Sequence, residues 1–306
     1  MKTNKLALSI FAATAMAASA SALATDMYID LGSNVYDDTV ILPNSTQITG
    51  AAFDADTTTS IFTEFGFSQL LATSVYDATM GPIGLGTTFY DTNKTSDFVA
   101  LGINPTISGT ALDTITPVTL SQPLPGQVDV DNLSPLTDSD DVEGFGNTWQ
   151  LTTEYFLNGV ISASGPMYTS GSFTITFESL ISASTFVALE ASLTGSNIAG
   201  PNLDLFFEIT SAADNFLYVK APGSGFVDVF DMLASGGTPT IRLDTNVNPP
   251  LPQDYQLLAL TDANGDVAVR QTTLDGTFVV NVPEPSSIAI FGAGLLALAG
   301  LRRKAK

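Results

Sequence analysis

Apolar and polar residues alternate with a period of two through most of this chain, and helical periodicity is nearly absent. In Ser172-Phe173-Thr174-Ile175-Thr176-Phe177-Glu178, the residues Phe173, Ile175 and Phe177 fall on one face and polar residues on the other. That is the pattern of a half-buried strand, because successive side chains of an extended backbone point to opposite sides. Thr148–Leu157 reads as a longer strand with a register shift at Thr152-Thr153. Further strands are predicted at Phe98–Ile103, Thr114–Leu120, Phe186–Leu193, Leu203–Thr210, Phe216–Val219, Phe226–Phe230, Thr238–Leu243, Tyr255–Leu260, Val267–Thr273 and Thr277–Asn281. Ile61–Tyr76 accommodates two strands or a strand and a short helix. Gly, Pro, Asn or Asp separate most of these runs, so the chain is expected to be all-β, an antiparallel β-sandwich. Asn264-Gly265 and Asp275-Gly276 carry hairpin-turn chemistry and predict a three-stranded meander at the end of the body.

Two absences narrow the chemistry. The chain has no Cys, so no disulfide supports it, and no His, which removes the commonest general base and transition-metal ligand. A Ser-His-Asp or Cys-His triad is therefore impossible. All 31 acidic residues lie between Thr25 and Pro285, where only Lys94, Lys220, Arg242 and Arg270 oppose them. Such a field repels nucleic acid, and no nucleic-acid partner is expected.

The two ends read as addresses. Lys2 and Lys5, the apolar run Leu6–Ala18 and the small-x-small site Ala22-Leu23-Ala24 make a secretory signal peptide, residues 1–24, which implies passage through the Sec translocon. At the other end Pro283-Glu284-Pro285 precedes an apolar run, Ile288–Leu301, and the basic end Arg302-Arg303-Lys304-Ala305-Lys306. The run has 14 residues, roughly 21 Å as a helix against a hydrocarbon core of about 30 Å. A single hydrophobic helix is expected there, reaching into the inner membrane through residues 286–301 with its basic end in the cytoplasm.

Together, Val282-Pro283-Glu284-Pro285, the Gly/Ala/Leu run from Gly292 to Gly300, and Arg302-Arg303 resemble the PEP-CTERM sorting signal of Gram-negative bacteria. The resemblance covers residues 283–306 and implies recognition by a membrane-embedded, transpeptidase-like protease, exosortase. It also implies export to the cell surface or to an extracellular matrix of exopolysaccharide, biofilm or floc. It says little about the body, residues 25–282, since such proteins differ widely upstream.

Within the body, residues 122–146 change character. Pro123, Pro125 and Pro135 interrupt an acidic stretch, Asp129–Glu143, and the segment reads as a linker or long loop dividing 25–121 from 147–282. Asp138, Asp140, Asp141 and Glu143 have the density of hard oxygen ligands that calcium requires, but no EF-hand register. A solvated, flexible linker explains the same residues and is the preferred reading, with calcium binding as the alternative. Asp262, Asn264 and Asp266 imitate a calcium loop too, although the turn at Asn264-Gly265 accounts for them without a metal.

Two kinds of residue bear on carbohydrate. Glu154, Glu178, Glu190 and Glu208 lie on predicted strands and offer carboxylate pairs for glycoside hydrolysis, with no recognisable motif around them. Trp149, Tyr155, Tyr168, Tyr218 and Tyr255 offer rings that stack on sugars. The expectation is a non-enzymatic surface or matrix protein with no required cofactor. A polysaccharide-active enzyme and a calcium-dependent carbohydrate-binding module are the alternatives.

Overall fold

The computed structural model describes residues 25–34, 57–93, 132–135, 143–146, 148–199, 202–246, 252, 257–262 and 265–282. Among them are thirteen strands: β1 (Met27–Ile29), β2 (Phe65–Asp77), β3 (Thr88–Thr92), β4 (Asn132–Pro135), β5 (Trp149–Ser162), β6 (Gly165–Ser179), β7 (Thr185–Ala199), β8 (Asn202–Ala212), β9 (Leu217–Lys220), β10 (Phe226–Asp228), β11 (Thr240–Asn246), β12 (Leu258–Asp262) and β13 (Gly265–Asn281). One short helix, α1 (Val229–Ala234), and a 3-10 turn at Gly32–Asn34 complete them.

Strand length follows the alternation. In β5 every odd position from Trp149 to Ile161 is buried, and the even positions, among them Gln150, Thr152, Glu154 and Asn158, face outward. β8 repeats this with Leu203, Leu205, Phe207 and Ile209. Strands of 11 to 17 residues at β5 to β8 and β13 are long enough for their twist to coil the sheet.

The sheet closes on itself. Its ten strands run in the order β12-β13-β11-β8-β7-β6-β5-β3-β2-β4, every pairing antiparallel, and β13 pairs with β2 from Val267↔Asp77 to Phe278↔Phe65. Strands β2, β3, β5, β6, β7, β8, β11 and β13 thus form an unbroken ring. Between β2 and β5 one slot holds two short strands end to end. β4 joins Phe65–Phe67 to Leu151 and Thr152, and β3 joins Thr73–Tyr76 to Phe156–Val160. Strand β4 falls inside the segment read as a linker, and strands from both sides of that segment share this one sheet.

The expected sandwich is therefore corrected: the chain is all-β, but a single curled sheet replaces two facing ones. A barrel and a sandwich bury the same alternate residues, so periodicity cannot separate them. The deciding pairing joins residues about two hundred positions apart. The expected meander is corrected as well. Asp275-Gly276 is no turn, because β13 runs straight through it with a register shift at Thr272/Leu274. A hairpin does form at the other turn, where Asp262 pairs with Gly265. Among the described residues no helix is long and apolar enough to cross a membrane. The hydrophobic helix expected at 286–301, and residues 283–306 as a whole, lie outside the described residues, as do 1–24, Phe98–Ile103 and Thr114–Leu120.

A second sheet, β1-β9-β10, shares the barrel's core. Phe216, just before β9, sets its ring edge-on against Phe177 and Phe186, with centroids 5.9 and 5.3 Å away. Met27 exchanges backbone hydrogen bonds with Phe62. The predicted strand Phe226–Phe230 stops at Asp228, whose carboxylate accepts from Phe230 N at 3.0 Å and caps α1. Burial pushes the Asp228 carboxyl up, opposed by the Phe230 and Asn215 backbone hydrogen bonds.

Candidate functional site

A polar group interrupts the largely apolar barrel interior. Toward the start of β5 the lone tryptophan, Trp149, is fully buried, stacks on Phe177 and donates its indole N–H to the Glu143 carbonyl at 2.9 Å. Toward the other end, register brings three polar side chains into one inward row: Arg270 of β13 beside Ser74 of β2, and Ser74 beside Asp91 of β3. Tyr168 of β6 donates its hydroxyl to Asp91 Oδ2, and Tyr76 stands two residues along β2 from Ser74.

Electrostatics in this network are set by burial. The Asp91 Oδ1 atom is sealed from solvent, and desolvation pushes the carboxyl up to about 6. Hydrogen bonds from Tyr168 and Ser74 and the Arg270 charge oppose that rise without cancelling it. Burial, then the Asp91 charge, lifts Tyr76 to about 12 and Tyr168 well above its ordinary range. Asn93 anchors the wall beside them, donating to the Thr153 carbonyl at 2.7 Å and accepting from Tyr155 N at 3.0 Å. The sequence analysis missed this group. Its one visible trace was Arg270, a cation placed on a strand in a body with only four.

The residues singled out from sequence are scattered. Trp149, Tyr155 and Tyr168 are core residues, and Tyr255 lies outside the described residues. Tyr218 is half-buried on the second sheet, stacked on Tyr28 with centroids 4.8 Å apart. Glu154, Glu178, Glu190 and Glu208 all stand on the outward face of β5 to β8. Glu154 and Glu190 share one row, separated by Thr174, while Glu178 accepts from Gln150 at 2.8 Å and Thr152 at 3.3 Å. Of the acidic cluster, Glu143 is buried with a left-handed backbone, φ 54°. Asp138, Asp140 and Asp141 lie outside the described residues, as do Ala22, Ala24, Pro283, Glu284, Pro285, Arg302 and Arg303. Among the described residues no three acidic side chains converge as a metal site would require.

One cavity opens on the outer wall, with a volume of about 320 Å³. Val75, Asp77, Thr88, Tyr90, Asn158 and Asp266 are among the residues that line it. The hairpin tip of β12 and β13 forms one side, where Gly265 approaches Thr79 so closely that a Cβ would sit 2.7 Å from its methyl group. Asp77 Oδ1 accepts from Thr79 N at 2.9 Å and from Thr79 Oγ1 at 2.6 Å, and these bonds hold its carboxyl below the usual range.

Comparison with curated proteins and with solved structures finds no match for the chain. Comparison with family models finds one, the PEP-CTERM protein-sorting motif, at residues 281–304. The chain therefore carries a C-terminal PEP-CTERM sorting signal, as an exosortase substrate does, beginning at the last residue of β13.

Proposed function

We infer that the barrel is a non-enzymatic component of the cell surface or extracellular matrix of a Gram-negative bacterium, associated with exopolysaccharide, biofilm or floc. The sorting motif at 281–304 carries this reading. The chain is exported through the Sec translocon, its residues 286–301 hold it at the inner membrane for a time, and exosortase then cuts near Pro283-Glu284-Pro285. Adhesion or packing within the polysaccharide is its work. The outer face of β5 supports this, since Gln150, Thr152, Glu154 and Asn158 face outward there together with Phe156, while Trp149 and Tyr155 point in. A membrane barrel has the opposite sense, with an apolar band outside.

The test is the intact mass of the mature protein from cells with and without exosortase, each culture fractionated into membrane, matrix and medium. A mass running from Thr25 to near the Pro-Glu-Pro, found in matrix or medium only when the protease is present, is expected. A full-length tail retained in the membrane of both strains overturns the reading.

A further inference from the structure

We propose that the end of β13 couples processing to folding: exosortase takes hold of the sorting motif when Asn281 and Val282 fray from the barrel, and the Asn281 side chain sets how often they do. This rests on the exosortase reading above and adds to it the residues of the body that regulate the cut.

The motif overlaps the fold. Its match begins at Asn281, the last residue of β13, which lies opposite Thr240 of β11. Val282 packs against the barrel core. Five residues, Pro283 to Ser287, then separate Val282 from the apolar run at Ile288, at most about 18 Å of chain. A peptidase cleft takes its substrate as an extended strand, with residues on both sides of the bond it cuts. For a cut near the Pro-Glu-Pro, the upstream share of that strand falls on residues already committed to the barrel. The stretch 279–281 that pairs with 240–242 of β11 is thus contested between sheet and protease.

Asn281 biases that contest. Phe278 and Val280 before it are wholly buried apolar residues that hold β13 in place. Asn281 is 6 % exposed, but its side-chain Oδ1 is sealed from solvent with no hydrogen-bond partner among the described residues. A buried acceptor left unmatched is destabilising, and fraying of the last pair returns it to water. A segment that opens and closes quickly is cut in proportion to the time it spends open. Asn281 therefore favours opening at the strand's end, while Val280 and Phe278 keep the ring shut behind it.

The experiment follows the conversion of full-length precursor to mature protein by intact mass after a pulse of label, in cells with exosortase and in an exosortase-free strain. Asn281→Val removes the unmatched acceptor and is expected to slow conversion about tenfold. Thr240→Gly, on β11 and outside the motif, weakens the same pair and is expected to speed conversion about threefold. Inserting Gly-Ser-Gly-Ser-Gly-Ser-Asn-Val between Val282 and Pro283 supplies a free copy of the motif's start. That chain is expected to convert fastest and to be indifferent to both substitutions. Slowing by Asn281→Val without any response to Thr240→Gly would mean that the protease reads residue 281 directly, and overturns the proposal. So does an insertion that leaves the rate unchanged, or substitutions that act as strongly with the insertion as without it. Conversion that depends on exosortase but ignores all three changes sinks this proposal alone. Conversion that proceeds equally without exosortase sinks the exosortase reading, and this proposal with it.

Discussion

At the scale of residues, the Asp91–Arg270 network turns pH into stability. The folded Asp91 carboxyl is raised from 3.8 to about 6 by burial, so the folded chain holds a proton there that the unfolded chain has released. Its contribution is complete below the ordinary carboxylate value and is lost as pH rises through about 6. Arg270, Ser74, Tyr76 and Tyr168 face it, and Arg270 is the one cation among them. Arg270→Met is expected to cost about 3 kcal/mol at pH 8, because it leaves an ionised carboxylate buried without its counter-charge. At pH 5, where Asp91 is protonated, the loss should shrink markedly. Urea denaturation at the two pH values measures both, and an equal loss at each would mean that Arg270 acts through packing rather than charge.

At the scale of elements, β13 shows which local rules hold. Asp275-Gly276 has the composition of a tight turn, yet Gly276 sits in an uninterrupted strand opposite Thr245. Its lack of a side chain serves packing: a Cβ there would stand 2.2 Å from the Asp244 carbonyl oxygen. Gly276→Ala should therefore force β11 away from β13 and cost about 2–3 kcal/mol, read as a lowered melting temperature.

The same comparison shows how much was legible in the chain. Strands at β5, β6, β8 and β11 were readable because their inward residues alternate cleanly, as with Phe173, Ile175 and Phe177. Strand β4 was not, since Asn132-Leu133-Ser134-Pro135 carries no strand signature and is held by its neighbours β2 and β5. The outer cavity was equally invisible. Val75, Asn158 and Asp266 come from three distant segments, and nothing local marks them as neighbours.

At the scale of the molecule, closure is the property to test. If β13 and β2 complete the ring, the backbone amides of 73–76 and 267–270 that bond across it should exchange with deuterium as slowly as those between β5 and β6. An open sheet would leave one of these runs as an edge, exchanging orders of magnitude faster. Such closure leaves the ring strands without the unpaired edges through which β-proteins template one another.

Among the described residues the closing strand is also the last. The ring waits on β13, and β13 ends at Asn281, side by side with Thr240, with Val282 alone before Pro283. Assembly therefore has a built-in clock: the ring cannot close until the chain is available as far as the start of the sorting motif. Any cut within β13 would remove residues that pair with β11 and loosen the ring.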